Sequence, residues 1–178
     1  MRTLRELFSA VKIEGSVRHE LRSFNSGMLR PGKIQSVKEL ALRIGLDVHL
    51  VELPKRMAGR LVSDPFSTSG YCVEVNKSHS ITSRRFAVLH EIGHFLRHVD
   101  RADPLFDGLN LNRGDEEFYY DLQQEHEANE VADVLLFGDG ALLAATTLHG
   151  GDNSKIAKFF GVSENMVVVA MRKFGVRR

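Results

Sequence analysis

Residues 84–98 read RRFAVLHEIGHFLRH, with His90, Glu91 and His94 at their centre. Phe86, Val88, Leu89, Ile92, Gly93, Phe95 and Leu96 cover most of the helical circumference with apolar or small side chains, which predicts a buried central helix. Two histidines four apart on such a helix share a face about one turn from each other, so both imidazoles reach a single ion. Glu91 is placed to take a proton from an attacking water, the arrangement that H-E-x-x-H uses for metal-assisted hydrolysis. The competing reading is a pair of core histidines satisfied by hydrogen bonds, with Glu91 reaching outward. Gly93 costs about 1 kcal/mol relative to Ala in mid-helix, a penalty that makes sense if something must approach the backbone closely there.

A site of this kind needs a third protein ligand and an open position for water. One pattern takes it shortly after the helix, following a Gly three residues past the second His. Here those positions hold Arg97 and Asp100, so the turn that would deliver Asp100 is not specified. The other pattern takes a Glu from a downstream helix, and the stretch Glu125-His126-Glu127-Ala128-Asn129 offers two. Ala128, Ala132, Leu135 and Leu136 define an apolar face, and stepping back along it lands on Glu125. Glu127 lies about 200° round from Glu125 and faces away. Glu125 is therefore the expected ligand, and Asn129, four residues on, is placed to hydrogen-bond a ligand histidine. Glu127, Glu130 and Asp133 read as a solvated acidic face.

RRFAVLHEIGHFLRH followed by EHEANEVADVLL resembles the ImmA/IrrE family of metallopeptidases, whose pattern is H-E-[aliphatic]-[small]-H and then E-x-E-A-[ND]-x-x-A-x-x-L-L. The resemblance reaches back to Ser36 and covers about two thirds of the chain. Val131 stands where an aromatic is common, and Phe137-Gly138 replaces a frequent Met-Pro, departures that touch packing and not ligands. The resemblance implies a gluzincin-like site with Glu125 as third ligand, a zincin-like fold, and site-specific cleavage of a partner transcriptional repressor, usually a helix-turn-helix protein, in stress response or mobile-element control. A toxin–antitoxin role stands as an alternative. Zinc suits an N/N/O donor set with an open position, and manganese or another divalent ion fits the same ligands.

The rest of the chain frames this centre. Ser36 caps a helix ended by Gly45; Asp47 to Leu53, Gly59 to Ser63 and Tyr71 to Asn76 read as strands. Three short strands followed by the metal helix imply an α+β fold with a small, mostly antiparallel sheet. Thr82 or Ser83 is expected to cap the metal helix. Asp100 to Asp115 reads as a long loop, and Tyr119 or Tyr120 after it could stabilise an oxyanion, although ordinary packing is the favoured reading of both. Thr3 to Lys12 and Ser16 to Phe24 read as two helices separated by Gly15, the second ended by Asn25-Ser26-Gly27. His98 is expected at a helix end, and His19, His49, His79, His126 and His149 as surface or core residues. The expected organisation is a helical segment over 1–35, a metallopeptidase domain over 36–149 and a helix-turn-helix-like tail over 150–178.

The chain has 178 residues, a net charge of +1 and a single cysteine, Cys72. That balance demands neither nucleic acid nor a membrane. The absence of a possible internal disulfide and of a signal-like start leads us to expect a cytoplasmic protein. The tail, Asn153 to Phe160, Gly161, Ser163 and then Glu164 to Phe174, is basic, but Met166 to Met171 is almost continuously apolar. Few side chains remain to read base edges, so DNA contact is possible and not favoured. A non-catalytic DNA-binding regulator is the alternative from a different functional class.

Overall fold

The structure, a computed structural model, describes residues 1–30, 34–99 and 121–177. It is α+β: among the described residues, eight helices surround a three-stranded sheet. Helices α1 (Leu4–Ala10), α2 (Gly15–Gly27) and α3 (Val37–Arg43) precede strands β1 (Asp47–Val51), β2 (Gly59–Ser63) and β3 (Tyr71–Asn76). Then come α4 (Ile81–His98), α5 (Leu122–Phe137), α6 (Ala141–Leu148), α7 (Asn153–Phe160) and α8 (Glu164–Phe174). No single helix among the described residues is long and apolar enough to cross a membrane.

The sheet is mixed, not mostly antiparallel. Its order is β1-β3-β2, with β2 antiparallel to β3 (Leu61 opposite Val73) and β1 parallel to it (Val48 opposite Val73). The cause lies in the connection after β1, which crosses the end of the sheet and leaves the central position to β3. Asn76, buried at the end of β3, holds that crossing chain: its Nδ2 donates to the carbonyls of Leu53 (3.0 Å), Pro54 (3.2 Å) and Met57 (2.9 Å). One side chain thus shares its two amide hydrogens among three backbone carbonyls outside the ladder, and the crossover becomes a fixed corner. Strand β1 ends at Val51, two residues before the expected end at Leu53.

Helix α4 is the central element. Residues Ala87–Leu89 and Glu91–Leu96 are buried, and α4 packs on the sheet and, most extensively, on α5. Its N-cap is Ser80, whose hydroxyl accepts the Ser83 N–H, and not Thr82 or Ser83. Gly93 is the contact point with α5. A Cβ there would lie 2.6 Å from the Ala128 carbonyl oxygen and 2.8 Å from its Cα, so the two backbones touch where only hydrogen fits. That close approach is what the mid-helix glycine provides in return for its propensity cost.

The flanking segments pack on α5. Gly15 opens α2 instead of separating two helices, and Asn25 to Gly27 remain helical. Asn25 is no breaker here. It is buried, and its Nδ2 donates to the carbonyls of Val134 (3.1 Å) and Leu135 (3.3 Å) on α5. The acidic side chains of α5 serve the same purpose: Glu130 meets the N-terminal ammonium at 2.9 Å and Asp133 meets Lys173 of α8 at 2.8 Å. What reads in sequence as a solvated face is a row of ion pairs tying both ends of the chain to α5. In the tail, Gly161 adopts φ +67 and Ser163 caps α8, with Ala157 and Val167 buried. Side chains from 1–35, 36–149 and 150–178 all enter one hydrophobic cluster.

Candidate metal centre

The contact at Gly93 brings the first turn of α5 over the middle of α4, so Glu125, three residues before Ala128, arrives above His90 and His94. The Nε2 atoms of the two histidines are 3.0 Å apart. Glu125 Oε2 lies 3.2 Å from His90 Nε2, and Oε1 lies 3.4 Å from His94 Nε2. Glu127 does not join them, as the helical phase requires. Asp100, Tyr119 and Tyr120, and the loop Asp100 to Asp115, lie outside the described residues.

The far nitrogens of both rings are engaged. His90 Nδ1 is 3.1 Å from Asn129 Oδ1, an acceptor, so His90 carries its proton on Nδ1 and leaves the Nε2 lone pair free. His94 Nδ1 is 3.1 Å from His98 Nδ1, and His98 Nε2 is 3.1 Å from Glu127 Oε2. Glu127 can only accept when ionised, which puts the His98 proton on Nε2 and makes its Nδ1 the acceptor for His94 Nδ1–H. His94 then also presents a bare Nε2. With both rings neutral, two lone pairs 3.0 Å apart with a carboxylate against both repel one another, and either protons on the rings or a metal cation among the three atoms relieves the repulsion.

The donor set fits a divalent metal. In tetrahedral coordination with bonds of about 2.0–2.1 Å, ligand atoms stand about 3.3 Å apart, and the separations here run from 3.0 to 3.4 Å. Asn129 and the His98–Glu127 pair hold the two rings in orientation, as outer partners of metal histidines generally do. His98 and Glu127 escape a reading by spacing because their roles depend on contact across helices. Arg97 reinforces the pair, meeting Glu127 at 2.8 Å, and the hydrogen bonds from Gln123, Arg97 and His98 bring the Glu127 carboxyl down to about 2.

Charge within the site follows from burial and pairing. With no ion bound, protonated His90 and His94 rings donate from Nε2 to Glu125 and hold its carboxyl well below the usual carboxylate range, against the opposing effect of burial. Burial would lower His90, but its hydrogen bond to Glu125 and the charges of Glu91 and Glu125 raise it. Glu91 is only 6 % exposed, and burial raises its carboxyl although the two histidines and the Leu61 backbone N–H pull the other way. A carboxylate with a raised pKa at the floor of the site is suited to accept a proton and return it. The Leu61 contact also places β2, an outer strand, alongside Glu91.

A second group of metal-binding residue types, His49, Asp64 and Cys72, gathers on the sheet. Burial, with the charges of Asp64 and Glu74, pushes the Cys72 thiol up to about 11, so it is a protonated donor to Asp64 and no nucleophile.

Against known proteins, the sequence model of a peptidase family, the IrrE N-terminal-like domain, matches residues 44–172. The match takes in all of β1 to α7 and most of α8, including the whole centre, and the chain belongs to this family. No curated protein matches it.

Proposed function

We propose that this family member is a zinc-dependent endopeptidase in which His90, His94 and Glu125 hold the ion and Glu91 is the general base. The observation that carries the reading is the convergence of two histidine Nε2 atoms and a carboxylate within 3.0 to 3.4 Å, beside a buried glutamate. Membership of a peptidase family supports the reaction class. The chemistry the ion supplies when bound is Lewis acidity toward a carbonyl and toward water.

The chain's own residues do the rest. Glu91 takes the proton of the attacking water and delivers it to the leaving amine, a two-way transfer favoured by its raised pKa. Asn129 and His98 keep the two imidazoles from rotating. Strand β2 lies at the sheet edge next to Glu91, and an extended substrate added to it would present its main chain to the site by β-augmentation. The substrate we propose is a partner helix-turn-helix repressor, cleaved at one site, a choice that rests on the family resemblance and not on the residues of the centre. The cell compartment that fits this partner is the cytoplasm.

The test pairs two readouts. Glu91→Gln should retain the metal content of the wild type and lose cleavage of candidate repressors, followed by mass spectrometry of fragments. A variant that still cleaves would remove Glu91 from the mechanism.

A further inference from the structure

A large concavity lies away from the metal centre. A cavity of about 940 Å³ opens between β1, the start of α4 and the α7–α8 tail. Its walls are mostly apolar, with Val37, Val48, Leu50, Val88, Ala157 and Val162 among them. Leu50 is 60 % exposed, a large apolar side chain left to solvent on an outer strand. The size and lining are those of small-molecule sites, which run to about 300–1,000 Å³ and combine apolar walls with a few polar groups.

The charged groups are cationic with one exception. Lys38, Arg84, Arg85 and Lys158 line the cavity against a single carboxylate, Glu164. Helices α4 and α8 also begin at its rim, at Ile81 and Glu164, and direct the positive ends of their dipoles toward it. Arg85 is the decisive residue. It is 8 % exposed; its Nε donates to the Phe160 carbonyl at 2.8 Å and its Nη1 to the Gln35 carbonyl at 2.5 Å. Its Nη2 is buried with no hydrogen-bond partner, and no carboxylate pairs with the guanidinium among the described residues. Burial lowers it to about 10, so it remains charged at neutral pH. A buried cation without a counter-ion is expensive, and an anion nearby offsets that expense. Gly161 shows how closely the tail is fitted to this arginine: a Cβ there would stand 3.1 Å from Arg85 Cδ.

We propose that this cavity binds a small anionic amphiphile, with an apolar body lying over Val48, Leu50 and Val88 and a carboxylate held by Arg84 and Lys158 in the field of Arg85. The apolar walls alone would accept any hydrophobe; the uncompensated cations select one with a negative head. This site is separate from the metal centre and stands or falls independently of the peptidase reading.

The probe is decanoate, titrated into the full-length protein by calorimetry, with decanol and acetate as the neutral-headed and tail-less controls. Decanoate should bind saturably, at least about tenfold more tightly than either control. The double variant Arg84→Glu/Lys158→Glu should weaken decanoate by about tenfold or more and leave decanol unchanged. Leu50→Asp, at an exposed position, should weaken decanoate independently of the charge reversal, in a variant whose unfolding midpoint is checked against the wild type. Decanol binding as tightly as decanoate, no saturable decanoate binding, or affinities unchanged in both variants would each overturn the proposal.

Discussion

Two flanks of α5 are built by different rules. One flank faces α4 and carries Ala128, Ala132 and Leu135, all fully buried, together with Glu125 at the histidines. Everything there follows from spacing along one helix and a glycine on the other. Glu127, Glu130 and Asp133 lie round the helix from these, and they bind the last turn of α4, the N-terminus and α8 respectively. Their spacing is equally helical, yet it says nothing of what they meet, because each partner comes from a distant part of the chain. Periodicity along a helix tells which residues share a face, and it cannot tell which tertiary neighbour that face will find.

The strongest way to break the distinction is at Gly93. Gly93→Ala puts a methyl group 2.6 Å from the Ala128 carbonyl, and a backbone cannot yield as a side chain can. The expected loss is about 3 kcal/mol, read as a lower midpoint in urea unfolding, together with weaker metal binding as α5 is pushed from α4. Unchanged stability and metal affinity would mean the helices have room that the contact denies.

Next in size are the ring-orienting residues. His98→Ala and Glu127→Ala should each retain the metal but bind it about 10–100-fold more weakly, since His94 loses the acceptor for Nδ1–H in the first and the anchor of that acceptor in the second. Competition with a chelator measures this. Affinities equal to wild type in both would reduce the His94–His98–Glu127 chain to packing.

This difference also marks what sequence reading reaches. His90, Glu91, His94, Glu125 and Asn129 are fixed relative to one another by steps of one, three or four residues on two helices, which is why their arrangement is legible. The parallel pairing of β1 is not, because alternation identifies strands without ordering them; the order depends on Asn76 gripping three carbonyls of the crossover. The N-cap of α4 is ambiguous for a simpler reason. Ser80, Thr82 and Ser83 all have capping hydroxyls, and only the extended backbone at Ser80 selects one. Asn25 misleads as a helix breaker because an asparagine that satisfies another helix's carbonyls looks the same in sequence as one that ends its own.

A pH series sharpens the account of Glu127. Its carboxyl is depressed from 4.5 to about 2 by Gln123, Arg97 and His98, so its stabilising contribution is present above pH 4.5 and is lost as pH falls toward 2. The stability gap between wild type and Glu127→Gln should therefore be constant above that window and close within it. A gap that persists at pH 2 would contradict the pairing. The smallest effect is expected at the C-terminal end: Lys173→Ala leaves Asp133 without its partner and should cost about 1 kcal/mol or less, with no change in metal content.

The most direct test of the centre compares two carboxylates that differ by two positions. Metal analysis of purified Glu125→Ala and Glu127→Ala, beside the wild type and with excess metal removed, should find about one ion per chain in the wild type and in Glu127→Ala, and almost none in Glu125→Ala. A metal-free Glu127→Ala beside a loaded Glu125→Ala would contradict the assignment of Glu125 and, with it, the account of how α4 and α5 make the site.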